Sequence, residues 1–137
     1  MTDTVVDTSV WVSFLRWGAD PASGELDRLI QHHRAILVGP VLAELLQGVR
    51  GPKPEALLRK LFAVLPYLPD DRSDWEKAGS LLFDLRRRGI TLPLPDVLIA
   101  AVARRHGLPV LTLDPHFAHL PVDLVRPSQE SWLHEGP

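Results

Sequence analysis

No cysteine occurs anywhere in this chain. Disulfides, thiolate metal sites and cysteine nucleophiles are therefore excluded, and any chemistry must come from other side chains. The absence suits a reducing compartment without proving one. Lysine is scarce, present only as Lys53, Lys60 and Lys77, so arginine dominates the basic set. No apolar run approaches the ~20 residues that a membrane-spanning helix needs. The opening Met1-Thr2-Asp3-Thr4 carries no Lys or Arg and does not read as a secretory signal. A cytoplasmic protein with no membrane partner is expected. No Gly-rich phosphate loop of either common type is present, so no nucleotide cofactor is expected.

What is present is an ordinary globular composition. The 137 residues are 45% hydrophobic and 23% charged, enough to bury one core without staples. The formal charge of −2 neither requires nor excludes a nucleic-acid partner. Positive charge is local, in Arg86-Arg87-Arg88 and Arg104-Arg105-His106. Thr4-Val5-Val6 and Ala35-Ile36-Leu37-Val38 read as buried strands, and Pro109 to Leu113 as a third, with shorter strands near Leu68 and over Val122 to Val125. Helices are expected from Ser9 to Leu15, Ala22 to His33, Pro40 to about Gly48, Pro54 to Ala63, Ser73 to Arg88, and from Asp96 onward to Gly107. Pro93-Leu94-Pro95 reads as extended backbone before that last helix. Strands alternating with helices predict an α/β fold, a mainly parallel sheet covered on both faces. One domain is expected over residues 1–126, followed by a polar tail over 127–137 in which Trp132 and Leu133 could dock.

Four acids stand at suggestive places. Asp7 follows a strand and precedes a helix, Asp96 opens a helix, and Asp114 ends a strand before Pro115. Each alone is explained by helix capping or turn formation. Glu44 lies within the first turns of an apolar helix, among Val41, Leu42, Leu45 and Leu46. In an open parallel sheet all four points fall on one edge, where ligands bind. Converging carboxylates repel, and one of a pair is easily forced to keep its proton. A hard divalent cation removes that conflict, Mg²⁺ first and Mn²⁺ as the alternative. Such an ion can activate water against a phosphodiester.

These residues resemble a known family. Val5-Val6-Asp7-Thr8-Ser9-Val10-Trp11 looks like the opening motif of PIN-domain nucleases, and Val41-Leu42-Ala43-Glu44-Leu45 resembles their second. Leu94-Pro95-Asp96-Val97-Leu98-Ile99-Ala100-Ala101 resembles the third, and Leu111-Thr112-Leu113-Asp114-Pro115-His116-Phe117 the fourth. Their order and spacing are similar to those of VapC-type toxins of toxin–antitoxin pairs. The resemblance implies a three-layer α/β/α sandwich and Mg²⁺-dependent cleavage of RNA. It implies Asp7, Glu44, Asp96 and Asp114 as catalytic and metal-binding acids. Thr8, Ser9 and Thr112 would support them by hydrogen bonding. It further implies a homodimer, assembled with an antitoxin that inserts a segment into the active-site groove. Many relatives carry a second acid two residues beyond the fourth-motif Asp, where this chain has His116. Asp114 is therefore expected to reach an ion through water.

Other residues read more plainly. His116 and His119 could suggest zinc, but with no third nitrogen ligand nearby they read as solvated. Arg86 to Arg88, Arg104 and Arg105 sit at helix ends, where capping and solvation explain them, although Arg104 and Arg105 could also steer RNA at a distance. Trp11, Phe14, Trp17 and Trp75 read as core or dimer contacts. A phosphotransfer receiver or acid-pocket phosphatase also gathers acids at a sheet edge. It needs a Lys near a strand end, and the three lysines fall in or beside expected helices. A catalytically silent RNA- or protein-binding module of the same fold is the remaining alternative.

Overall fold

The computed structural model describes residues 1–125 and 127. Five parallel strands form one sheet in the order β3-β2-β1-β4-β5. They are β1 (Thr4–Val6), β2 (Ala35–Val38), β3 (Tyr67–Leu68), β4 (Val110–Leu111) and β5 (Leu124–Val125). Six helices connect them: α1 (Thr8–Arg16), α2 (Pro21–Gln31), α3 (Gly39–Gly48), α4 (Pro52–Val64), α5 (Arg72–Arg87) and α6 (Leu94–Arg105). The chain first builds outward from β1 through β2 to β3, then returns to β4 on the other side of β1. The helices cover both faces of the sheet, whose central strands are buried throughout. The expected α/β sandwich is thus observed. The point where the strand order reverses lies between β1 and β4, beside Val5↔Val110 and Val6↔Leu111.

Strands β1, β2 and β4 are buried at every residue, as continuous β-branched and leucine runs require in a sheet covered on both faces. Helix α6 is apolar nearly all round, and every residue from Asp96 to Ala103 is buried. Gly89 and Gly107, with φ of 78° and 67°, close α5 and α6 in the left-handed region that glycine enters without strain.

Several boundaries differ from the expectation. Helix α2 stops at Gln31, and His33 takes the left-handed turn at φ 57° where no glycine is available. The strand near Leu68 is two residues long. Helix α6 starts at Leu94, not Asp96, because Pro95 occupies an early position whose N–H needs no partner. Strand β4 ends at Leu111, and β5 covers Leu124 and Val125 alone. The expected tail from 127 onward lies, apart from Pro127, outside the described residues, as do Trp132 and Leu133.

The aromatic and basic residues also sort differently. Trp11 is fully buried, with Phe14 edge-on at 6.1 Å and 87°. Trp17 and Trp75 are not core: they are 73% and 50% exposed. Arg105 is neither a simple cap nor a free cation. Its guanidinium grips the buried Asp74 through two bonds of 2.8 and 2.9 Å. Asp74 in turn closes the capping box of α5 with Asp71. This pair pins the C-terminal end of α6 to the start of α5. Arg104 donates to the carbonyl of Pro121 at 2.8 Å.

Candidate active site

Asp7 stands where β1 leaves the sheet. Its N–H still joins the ladder, donating to the Leu111 carbonyl at 2.9 Å, while its own carbonyl accepts from Val10 and Trp11 to begin α1. The side chain caps that helix, accepting from the Ser9 N–H at 3.4 Å. Two hydroxyls reach the same oxygen, Oδ2: Ser9 at 2.6 Å and Thr112 at 2.9 Å. Among the described residues no donor reaches Oδ1. The residue is 2% exposed, so one carboxylate oxygen is held by the protein and the other remains for a ligand.

The short β4 has a physical cause at this same place. Beyond Leu111 the backbone exchanges ladder partners for side-chain hydroxyls. The Leu113 N–H donates to Ser9 Oγ at 3.0 Å, and the Asp114 N–H donates to Thr112 Oγ1 at 2.9 Å. Ser9 and Thr112 therefore position two acids at once, one through the carboxylate and one through the backbone. Asp114 caps a 3₁₀ turn, Pro115–His119, by accepting from the His116 N–H at 2.9 Å.

Asp96 comes from the first turn of α6, whose cap residue is Pro93 with no side-chain bond. The capping explanation for Asp96 therefore fails, whereas for Asp7 and Asp114 capping and convergence hold together. Asp96 is 8% exposed. Burial pushes its carboxyl up to about 6; the hydrogen bond from His116 opposes this, and the charges of Asp7 and Asp114 reinforce it. Asp7 and Asp96 stand at the starts of α1 and α6, whose positive ends offset part of the repulsion.

His116 is not a solvated bystander. Its Nδ1 lies 3.1 Å from Asp96 Oδ2 and 3.2 Å from Asp114 Oδ1. The sequence hid this because the imidazole meets an acid 20 residues earlier in the chain. The signal available was its place, two residues past Asp114 on the turn that this acid caps. His119 is exposed and takes no part, so the zinc pairing of the two histidines is not formed.

Glu44 stands apart from the tight group. It lies one turn inside α3, half-buried, and Thr8 Oγ1 donates to its Oε1 at 2.9 Å. Thr8 adjoins Asp7, so Glu44 is tied to the same corner through α1. A groove of about 430 Å³ runs from Glu44 past Gly39, Pro95 and Leu98 to Trp75. All three expected supporting hydroxyls are thus engaged with acids.

The donor set fits a divalent ion. Ligand atoms of Asp96, Asp114 and His116 lie within 4.8 Å of one another, two carboxylate oxygens and one imidazole nitrogen. The buried charge has a measurable consequence without any ion. A carboxyl raised in the folded state favours the protonated form, so its cost to stability is absent below the ordinary value of 3.8 and fully present above about 6. In chelator, Asp96→Asn should therefore melt above wild type at pH 8, and the gap should close towards pH 4. A gap independent of pH would show that Asp96 is not the strained group.

Comparison with known proteins gives this chain's relatives. The PIN domain family model matches residues 4–123. Ribonuclease VapC11 of Mycobacterium tuberculosis is 33% identical over 117 residues, covering 82% of this chain and 87% of that protein. The solved structure of VapBC-5 from the same organism, a member of the VapBC family of toxin–antitoxin systems, superposes with a TM-score of 0.60. It is 26% identical and covers 89% of this chain and 98% of its own. DNA-bound VapBC from Salmonella typhimurium superposes at 0.76 with 20% identity, over 92% and 98% of the two chains, and shows the shared fold.

Proposed function

The chain belongs to the PIN-domain family, and on that premise we propose that it is a divalent-metal-dependent endoribonuclease, the toxin of a type II toxin–antitoxin pair. The observation that carries the proposal is the convergence of Asp7, Asp96 and Asp114 at the strand-order reversal, with Asp96 buried among them. Capping does not explain Asp96. Nothing in a folded core rewards three neighbouring carboxylates unless a cation or substrate uses them. The 33% identity to a ribonuclease supports the substrate class.

In this reading Asp96 would hold the ion, with Asp114 binding it directly rather than through water because one of its carboxylate oxygens lies within ligand spacing of the Asp96 carboxylate. Asp7, whose Oδ2 is held by Ser9 and Thr112, would contribute its other oxygen. Glu44, fixed by Thr8, borders the groove through which the RNA strand approaches. When bound, Mg²⁺ or Mn²⁺ would activate water and offset charge on the phosphodiester. Burial of Asp96 lowers the local dielectric, which strengthens its attraction for a cation. A cognate antitoxin and a second copy of this chain are the proposed protein partners. Exposed Trp17, Leu57, Val64 and Phe83 offer apolar surface that partners would cover. No helix among the described residues is long and apolar enough to cross a membrane.

The test is incubation of the purified protein with total cellular RNA, followed by mapping of the cut ends. Discrete cleavage that requires Mg²⁺ or Mn²⁺ and stops in chelator is expected. Intact RNA under all ion conditions, from protein shown to be folded, would overturn the proposal.

A further inference from the structure

His116 is placed as a ligand would be. Cis ligands of an octahedral ion with ~2.1 Å bonds stand ~3 Å apart. The imidazole Nδ1 is 3.1 Å from Asp96 Oδ2 and 3.2 Å from Asp114 Oδ1. The turn that carries it is fixed by the His116 backbone N–H, which donates to Asp114 Oδ1 at 2.9 Å, and the ring itself is held by its contact with Asp96. Its partner Asp96 sits on the buried α6, so that side of the contact has little freedom. The side chain is 43% exposed, which leaves a path from solvent to this corner.

We propose that His116 binds the ion directly through Nδ1, so that this site takes a nitrogen-accepting first-row divalent ion such as Mn²⁺ in preference to Mg²⁺. The inference rests on the metal-dependent reading of the site. Mg²⁺ prefers an all-oxygen shell and gives up its waters reluctantly. An imidazole ligand adds affinity for first-row transition ions and little for Mg²⁺. The competing role for His116 is that of a counter-ion, a protonated ring that separates Asp96 from Asp114 and leaves when the ion arrives. The two roles differ in one observable: whether a histidine nitrogen is bonded to the bound ion.

Pulsed electron paramagnetic resonance on the Mn²⁺-loaded protein reads this directly. Nitrogen modulation is expected in wild type, changing to the ¹⁵N pattern when histidine is ¹⁵N-labelled, and lost in His116→Ala and His116→Gln while Mn²⁺ still binds. Calorimetry should give Mn²⁺ at least about tenfold tighter binding than Mg²⁺ in wild type. His116→Asp, which replaces the nitrogen donor with a carboxylate oxygen, should shrink that ratio. Mn²⁺ bound to wild type without histidine coupling, or the same coupling in His116→Ala, would overturn the ligand role and leave the nuclease reading standing. If neither ion binds the folded wild type, the metal-dependent nuclease reading falls as well.

Discussion

Replacing Asp96 with Asn is expected to reduce RNA cleavage at least about 100-fold without lowering the melting temperature of the ion-free protein. Losing an outer partner of a metal ligand already costs about 10- to 100-fold in affinity or activity, so losing a charged ligand should exceed that. The fold should tolerate the change because the carboxylate gives little to stability here. It caps nothing, and burial and its neighbours push its carboxyl up to about 6. An amide of the same shape removes one of three clustered charges, and its oxygen can still accept from His116 at the 3.1 Å separation. The two halves of the prediction must be read together. Lost cleavage with a lower melting temperature in chelator would indicate a structural residue. Undiminished cleavage would remove Asp96 from the site.

The sheet and the acids were legible for a shared reason. A β-branched run ending in Asp, as in Val5-Val6-Asp7, marks both a buried strand and the point where the backbone turns polar. Parallel topology then gathers such points on one edge. What stayed hidden depended on contacts between distant positions. Pro93-Leu94-Pro95 reads locally as extended, yet tertiary packing lets α6 begin at Leu94, which moves Asp96 from cap to first turn. The grip of Arg105 on Asp74 spans 31 residues, and nothing local distinguishes it from a solvated helix end. In the sequence His116 reads as solvated because its partner Asp96 lies on another element. Trp17 and Trp75, expected as core or dimer contacts, are exposed, which leaves only the second of those readings.

Asp7 tests the same site from its protein-facing side. Saturating Mg²⁺ or Mn²⁺ should raise the melting temperature of wild type by about 10 °C, since an ion at ~100 times its dissociation constant adds ~2.7 kcal/mol to a fold of this size. Asp7→Asn should show a much smaller shift. The asymmetry of the carboxylate is the reason. Ser9 and Thr112 both donate to Oδ2, so the amide oxygen can take over their bonds at 2.6 and 2.9 Å. The amide nitrogen is then forced into the place of Oδ1, where it presents hydrogens rather than a lone pair to a cation. The internal network survives and the cation loses both a charge and an acceptor. Ion-free Asp7→Asn should accordingly melt close to wild type, with the difference emerging only as ion is added. Equal ion-induced shifts in the two proteins would mean that the stabilising ion sits elsewhere, and would separate Asp7 from the acids around His116.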